Sequence, residues 1–322
     1  MSARWQYVRR LDGSLRALFG PVVTIVVATF LVQVALASAP GDPAASLAGS
    51  HATPKQIAVV RHELGLDEPL LVRYWDWLSG AMRGDFGVSI LSHDNVSSLI
   101  SARVGTTLFL VVYAAILILA FGIGSGILGG ISRAMGPVVA SLSGLAVAVP
   151  AFVVAQLLIN YLSLELGWFP VVGAGDGFAD RIWHLTLPAI ALSLALCAYA
   201  AQITRTAIRE EASREHVETA RGRGLPPGHV FRRHVLRNAA LPILTISGIS
   251  IAGLIAGTVV VESAFGLDGI GSLLVKGVEA KDYNVVQAIT LILVVVFVIA
   301  TSLVDLLQRV LDPRTRLRKA VR

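Results

Sequence analysis

Charged side chains are scarce in this sequence, and cysteine is scarcer still. Only 15% of its 322 residues are charged, where a soluble domain of comparable size carries roughly 25%. That deficit excludes an ordinary water-facing surface over most of the chain. Cys197 is the single cysteine, so no disulfide can form within the chain. No GxxxxGK[ST] phosphate loop occurs, so nucleotide chemistry of that type would have to reside on another chain. The seven histidines, His51, His62, His93, His184, His216, His229 and His234, are scattered without i,i+4 spacing. Neither a Ser/His/Asp arrangement nor a carboxylate pair can be assembled. The expectation is a chain with no catalytic site, no metal site and no cofactor of its own.

Apolar residues make up 55% of the sequence, with a mean hydropathy of +0.72. A helix needs about 20 apolar residues to cross the hydrocarbon of a bilayer. Six stretches qualify: 17–39, 104–131, 137–162, 186–204, 241–261 and 286–308. Lys and Arg are nearly absent inside them, as expected from a cost of about 2.5–3.5 kcal/mol at a helix centre. The predicted fold class is therefore all-α, a polytopic membrane protein with six transmembrane helices. The first apolar run ends in Ala37-Ser38-Ala39, which imitates a signal-peptidase site. It exceeds the 7–15 residues of a signal core, so an uncleaved first span is expected.

Charge placement sets the orientation. Segments 1–16, 132–136, 205–238 and 309–322 hold four, one, eight and six basic residues, whereas the loops 163–185 and 263–286 hold only Arg181, Lys276 and Lys281. This bias predicts both termini on the cytoplasmic side. It also accounts for the net charge of +6 as topology and attraction to anionic membrane lipids, with no call for nucleic acid. The chain then divides into a cytoplasmic segment 1–16, a first span 17–39, an exterior loop 40–103, a five-helix core 104–308 and a basic tail 309–322.

The exterior loop carries helix punctuation. Thr53-Pro54-Lys55-Gln56 reads as a capping box with proline at the first helical position, and Gly65 as a stop. Asp67-Glu68-Pro69 opens a second helix in which Leu71, Tyr74, Trp75 and Leu78 share one apolar stripe. Spacing alone leaves two readings: helices lying on the membrane surface, or a platform for an external partner.

Within the spans, Gly122, Gly126 and Gly130 repeat at GxxxG spacing, which lets helix backbones approach closely. Pro150 should kink the third span. Gln33, Gln156, Asn160, Gln202 and the edge residue Glu262 are polar groups at or near membrane depth, able to line a pathway or to bond a neighbouring helix. Asp305 and Arg309 have the spacing of an i,i+4 ion pair.

The longest cytoplasmic segment, 205–238, reads as a polar helix over Arg209–Glu218, broken by Gly222, Gly224, Pro226 and Pro227, and restarted over Gly228–Asn238. With no lipid-facing stripe, it calls for a protein partner. Its core, Glu218-Thr219-Ala220-Arg-Gly-Arg-Gly224 followed by His234-Val235-Leu236, resembles the EAA loop of binding-protein-dependent ABC importer permeases. Thr219 stands in place of the first alanine of that loop, and Arg237 in place of a proline. That variant is similar to the oligopeptide/dipeptide/nickel branch, in the first of its two permease types. Gly41-Asp42-Pro43, Gly84-Asp85-Phe86-Gly87, Leu166-Gly-Trp-Phe-Pro170, Val261-Glu262-Ser-Ala-Phe265, Asp282-Tyr283 and Asp312-Pro313-Arg314 extend the likeness along nearly the whole chain.

The resemblance implies a type I ABC importer permease fold in a bacterial-type plasma (inner) membrane. It implies a di-/oligopeptide cargo, with nickel or a nickel chelate as the alternative; a rival from another class, a channel or secondary transporter, would draw on intramembrane acids, of which the spans offer only Asp305 near one end and Glu262 at the outer edge. It implies three kinds of partner: a second homologous permease, two ATP-binding-cassette ATPases, and an extracytoplasmic peptide-binding protein. Glu210, Glu218, Thr219, Ala220, Arg221, Gly222, Arg223, Gly224 and Leu225 would couple to an ATPase. Arg73, Tyr74, Trp75, Asp85 and Phe86 would dock the external protein. Gln156, Asn160, Gln202 and Glu262 are the candidates for lining the pathway.

Overall fold

The computed structural model describes residues 3–38, 43–48, 51–63 and 65–311. Among them every regular element is helical: α1 Ala3–Ser38, α2 Pro43–Ala48, α3 Pro54–Glu63, α4 Leu70–Ala81, α5 Val96–Ile131, α6 Met135–Ala148, α7 Ala151–Glu165, α8 Gly177–Ala212, α9 Glu215–Gly222, α10 Pro227–Ala264, α11 Ile270–Glu279 and α12 Tyr283–Leu311. Five contain windows long and apolar enough to cross a membrane, namely Phe19–Ser38 of α1, α5, α8, α10 and Tyr283–Val304 of α12. The pair α6–α7 is the candidate for a sixth, by its combined length and composition. It is bent by 96°, far more than the kink expected at Pro150. The ring of Pro150 disfavours helical backbone at the preceding residue. Val149 and Pro150 are accordingly both extended, and the helix restarts as Val153 and Val154 donate to the Pro150 carbonyl.

The chain forms two compact units. The first comprises 1–103 with 273–298, the second 104–272 with 299–322. In the first, the capping box forms as read: Gln56 Oε1 accepts from the Thr53 backbone N–H at 2.8 Å, and Gly65 ends α3 at φ +63°. The apolar stripe of α4 divides, however. Tyr74 and Leu78 are buried with Ala81, while Leu71 and Trp75 are exposed. Tyr74 packs edge-on against Phe30 and its hydroxyl donates to the Val26 carbonyl, so its face of α4 is turned to α1.

In the second unit α8 is the central strut, packed against α5, α6, α7 and α10. Lipid is as apolar as leucine, so close packing replaces the hydrophobic effect in holding such helices. The glycine row of α5 provides it. Gly122 lies on the backbone of Cys197, Gly126 on Ala201 and Thr204, and Gly130 on Ile208. A Cβ on Gly126 would come within 2.8 Å of the Ala201 carbonyl oxygen. On the other side, a Cβ on Gly248 of α10 would overlap Val304 of α12. The side chains of Asp305 and Arg309, like residues 312–322, lie outside the described residues.

Candidate functional site

The segment between α8 and α10 departs from its expected form in one respect. The helix does not run through Arg209–Glu218; it stops at Ala212 and restarts at Glu215. Glu211 supplies the local reason. Its carboxylate is buried and accepts from Arg214 Nε at 3.0 Å and from Asn238 Nδ2 at 2.9 Å, with His216 Nε2 at 3.2 Å. Arg214 reaches back from an extended backbone (ψ 147°), which turns the chain into α9.

α9 has two faces. Val217 and Ala220 are buried in a small apolar cluster with Ala207, Ile208, Val230, Val235, Ala239 and Ile243. Glu215, Glu218, Thr219, Arg221 and Gly222 are exposed. The short helix is thus anchored to the ends of α8 and α10 by two small residues, and its polar side stays open. Glu215 and Glu218 stand in the first turn and Arg221 in the last, the order the helix dipole favours.

The C-terminus of α9 is closed by a Schellman arrangement. Gly224 N–H donates to Arg221 O at 2.9 Å and Leu225 N–H to Ala220 O at 3.4 Å. Gly224 sits at φ +74°, a conformation that costs any residue with a Cβ, although the space around it is open. Beside it lies a concavity of about 430 Å³ whose lining includes Thr219, Ala220, Arg223, Leu225 and His234. Glu210, at the end of α8, is also exposed.

The other candidates are placed differently. In the first unit Arg73 is half-buried with its guanidinium 5.9 Å above the Tyr283 ring, Trp75 is exposed, and Tyr74 is buried. A docking surface here would have Trp75, not Tyr74, as its aromatic. Asp85 Oδ1 accepts from the Gly87 N–H, shaping a tight turn, and Phe86 is half-buried. Among the pathway candidates, Gln156 is exposed, while Asn160 and Gln202 are half-buried. Glu262 is fully buried and taken up by structure: Thr107 Oγ1 donates to it at 2.6 Å and the Ser272 N–H at 3.1 Å. Sequence reasoning passed over Thr107 and the Ser89–Asp282 bond (2.5 Å), whose partners lie 155 and 193 residues away, and also Glu211, although Arg214 stands only three residues from it.

This arrangement, a bundle of membrane-length helices with a short two-faced helix held outside it, is matched by known proteins. Residues 119–317 match the family described as "binding-protein-dependent transport system inner membrane component", and residues 11–111 match that family's N-terminal model. The chain belongs to this family. It is 36% identical over 311 residues to the "probable peptide ABC transporter permease protein y4tP" of Sinorhizobium fredii, covering 94% of this chain and 98% of that protein. It is also 36% identical over 310 residues to the "glutathione transport system permease protein GsiC" of Escherichia coli K12, covering 95% and 99% respectively. A chain of the methionine ABC transporter MetNI in an inward-facing crystal form shares the fold, with TM-score 0.56 and 16% identity over 66% of this chain and 96% of that one.

The protein is accordingly a multi-pass inner-membrane permease subunit of an ABC importer. Such a subunit works with ATPase and substrate-binding partners.

Proposed function

We propose that this permease imports di- or oligopeptides as one half of a heterodimeric pathway, alternating between outward and inward access, with both termini cytoplasmic. The cargo is supported by the names of its relatives, one called a peptide permease and the other a permease for glutathione, itself a tripeptide. Nickel uptake is the competing outcome that a direct uptake assay separates. The partners in this reading are a second homologous permease, two ATPases and an external peptide-binding protein. The chain itself needs no cofactor.

The observation that carries the reading is α9: a polar helix of eight residues, fastened at Val217 and Ala220 and exposed along Glu218, Thr219 and Arg221. ATP-driven closure of an ATPase pair would push on this exposed side. The push would pass through the apolar cluster into α8 and α10, reorienting the membrane helices.

The test is a reconstituted complex carrying Gly224→Val or Glu218→Lys. Valine is poorly tolerated at positive φ and should distort the turn after α9. Lysine inverts a charge that would face the ATPase, where losing one partner of a desolvated pair costs about 2–5 kcal/mol. Both variants should insert and bind the external protein but lose cargo-stimulated ATP hydrolysis and peptide uptake. Normal stimulation in both would remove α9 from the coupling path.

A further inference from the structure

The first unit contains a cavity of about 370 Å³, within the size range of small-molecule sites. It lies where α1 ends and α12 begins, since the Tyr283 hydroxyl donates to the Leu36 carbonyl. Gln33, on its wall, stands five residues before the end of α1, about 7.5 Å at 1.5 Å per residue.

Two features of the wall point to a ligand. Gln33 is 3% exposed, and Trp77 lines the same cavity; Gln33 Oε1 and Trp77 Nε1 are both buried without a hydrogen-bond partner. A buried acceptor and a buried donor left unpaired are each costly unless something fills them. Charges of both signs also meet here. Arg73 is half-buried against the Tyr283 ring and forms no ion pair with a described residue, and Glu68 and Asp76 stand exposed at the rim of the same cavity.

We propose that this cavity binds a small zwitterion, its acidic group on Arg73 and its ammonium group toward Glu68 and Asp76, with Gln33 and Trp77 completing its hydrogen bonds. The acidic group gains a cation already desolvated on one face, and the ammonium group remains near water between two carboxylates. Two sources carry this chemistry, the phosphoethanolamine headgroup of a lipid and a free amino acid or short peptide. The site is independent of the cargo reading above and stands whichever solute the pathway carries.

The test uses the purified permease–ATPase complex, delipidated and without the external binding protein. It is brought to equilibrium by dialysis with radiolabelled O-phosphoethanolamine in one arm and glycylglycine in the other. Saturable binding of at least one probe is expected, weakened fivefold or more by Trp77→Phe and by Gln33→Leu. Trp77→Phe removes the orphaned donor with little change in shape, so it keeps the test decisive if Gln33→Leu fails to assemble. Binding of phosphoethanolamine alone assigns the site to a lipid headgroup, and binding of glycylglycine alone to a free peptide-like zwitterion. Absence of saturable binding of both probes, or binding unchanged in the variants, overturns the proposal.

Discussion

Two turns in the second unit each follow a long membrane helix and each is organised by one buried acid, yet they are built oppositely. At the α8–α9 turn, Glu211 is held by side chains, and two of them, Arg214 and His216, are themselves exposed. At the α10–α11 turn, Glu262 is held by the buried Thr107 hydroxyl and by the Ser272 backbone N–H at the start of α11. Thr107 in turn accepts from the Ile270 N–H at 2.9 Å. Gly269 and Gly271 lie flush against the carboxylate of Glu262, where a Cβ would collide with it. Side-chain partners at a surface can exchange for water at small cost. Backbone partners in a closed pocket cannot, because each unmade bond leaves a desolvated group. The first turn is suited to movement, the second to holding α5, α10 and the start of α11 in one arrangement.

Four measurements sharpen or break this contrast, in order of decreasing effect. The first is all-or-none and concerns sidedness. After Cys197→Ala, a cysteine at Ser213 should be shielded from an impermeant thiol reagent in intact cells, and one at Ser263, beside the second turn, should react. Labelling of Ser213 from outside would invert the orientation and with it the placement of α9 beside an ATPase.

The second is Glu262→Leu, which leaves the Thr107 hydroxyl and the Ser272 N–H without their acceptor. A loss of about 3–5 kcal/mol is expected from two such groups. It should appear as a large fall in the thermal midpoint of the detergent-solubilised complex, and an unchanged midpoint would show that the turn is not the clamp described. The third is Gly269→Ala, whose methyl group displaces the Glu262 carboxylate, for about 1–3 kcal/mol by the same measurement.

The smallest is Glu211→Gln. It keeps one acceptor oxygen for Asn238 or Arg214 and should cost about 1 kcal/mol. Its signature is local: faster tryptic cleavage at Arg214 and Arg221 with little change in the global midpoint. A global loss as large as that of Glu262→Leu would erase the distinction between the turns.

Much of this protein is legible in the order of its residues because the controlling forces are local. Twenty apolar residues in a row are enough to specify a crossing, Thr53 and Gln56 are three residues apart, and Gly224 closes α9 through residues within five positions of it. Even the glycine row of α5 announced a close-packed face, since its period is that of a helix. What it packs on, Cys197 to Ile208 of α8, was not written there. Nor could local sequence tell Tyr74 from Trp75. Adjacent aromatics on one helix point in different directions, and only the position of α1 decides which is buried.

The same limit governs the acids. Glu262 read as a possible pathway residue because a carboxylate near a membrane demands an explanation, and the sequence by itself established that demand along with the spans, the polar cytoplasmic helix and its glycine stop. Tertiary structure alone decided the answer. Glu262 meets Thr107 across 155 residues and Asp282 meets Ser89 across 193. Pairings at such separations leave no periodicity or spacing in the chain, because they arise only when helices already formed are packed together.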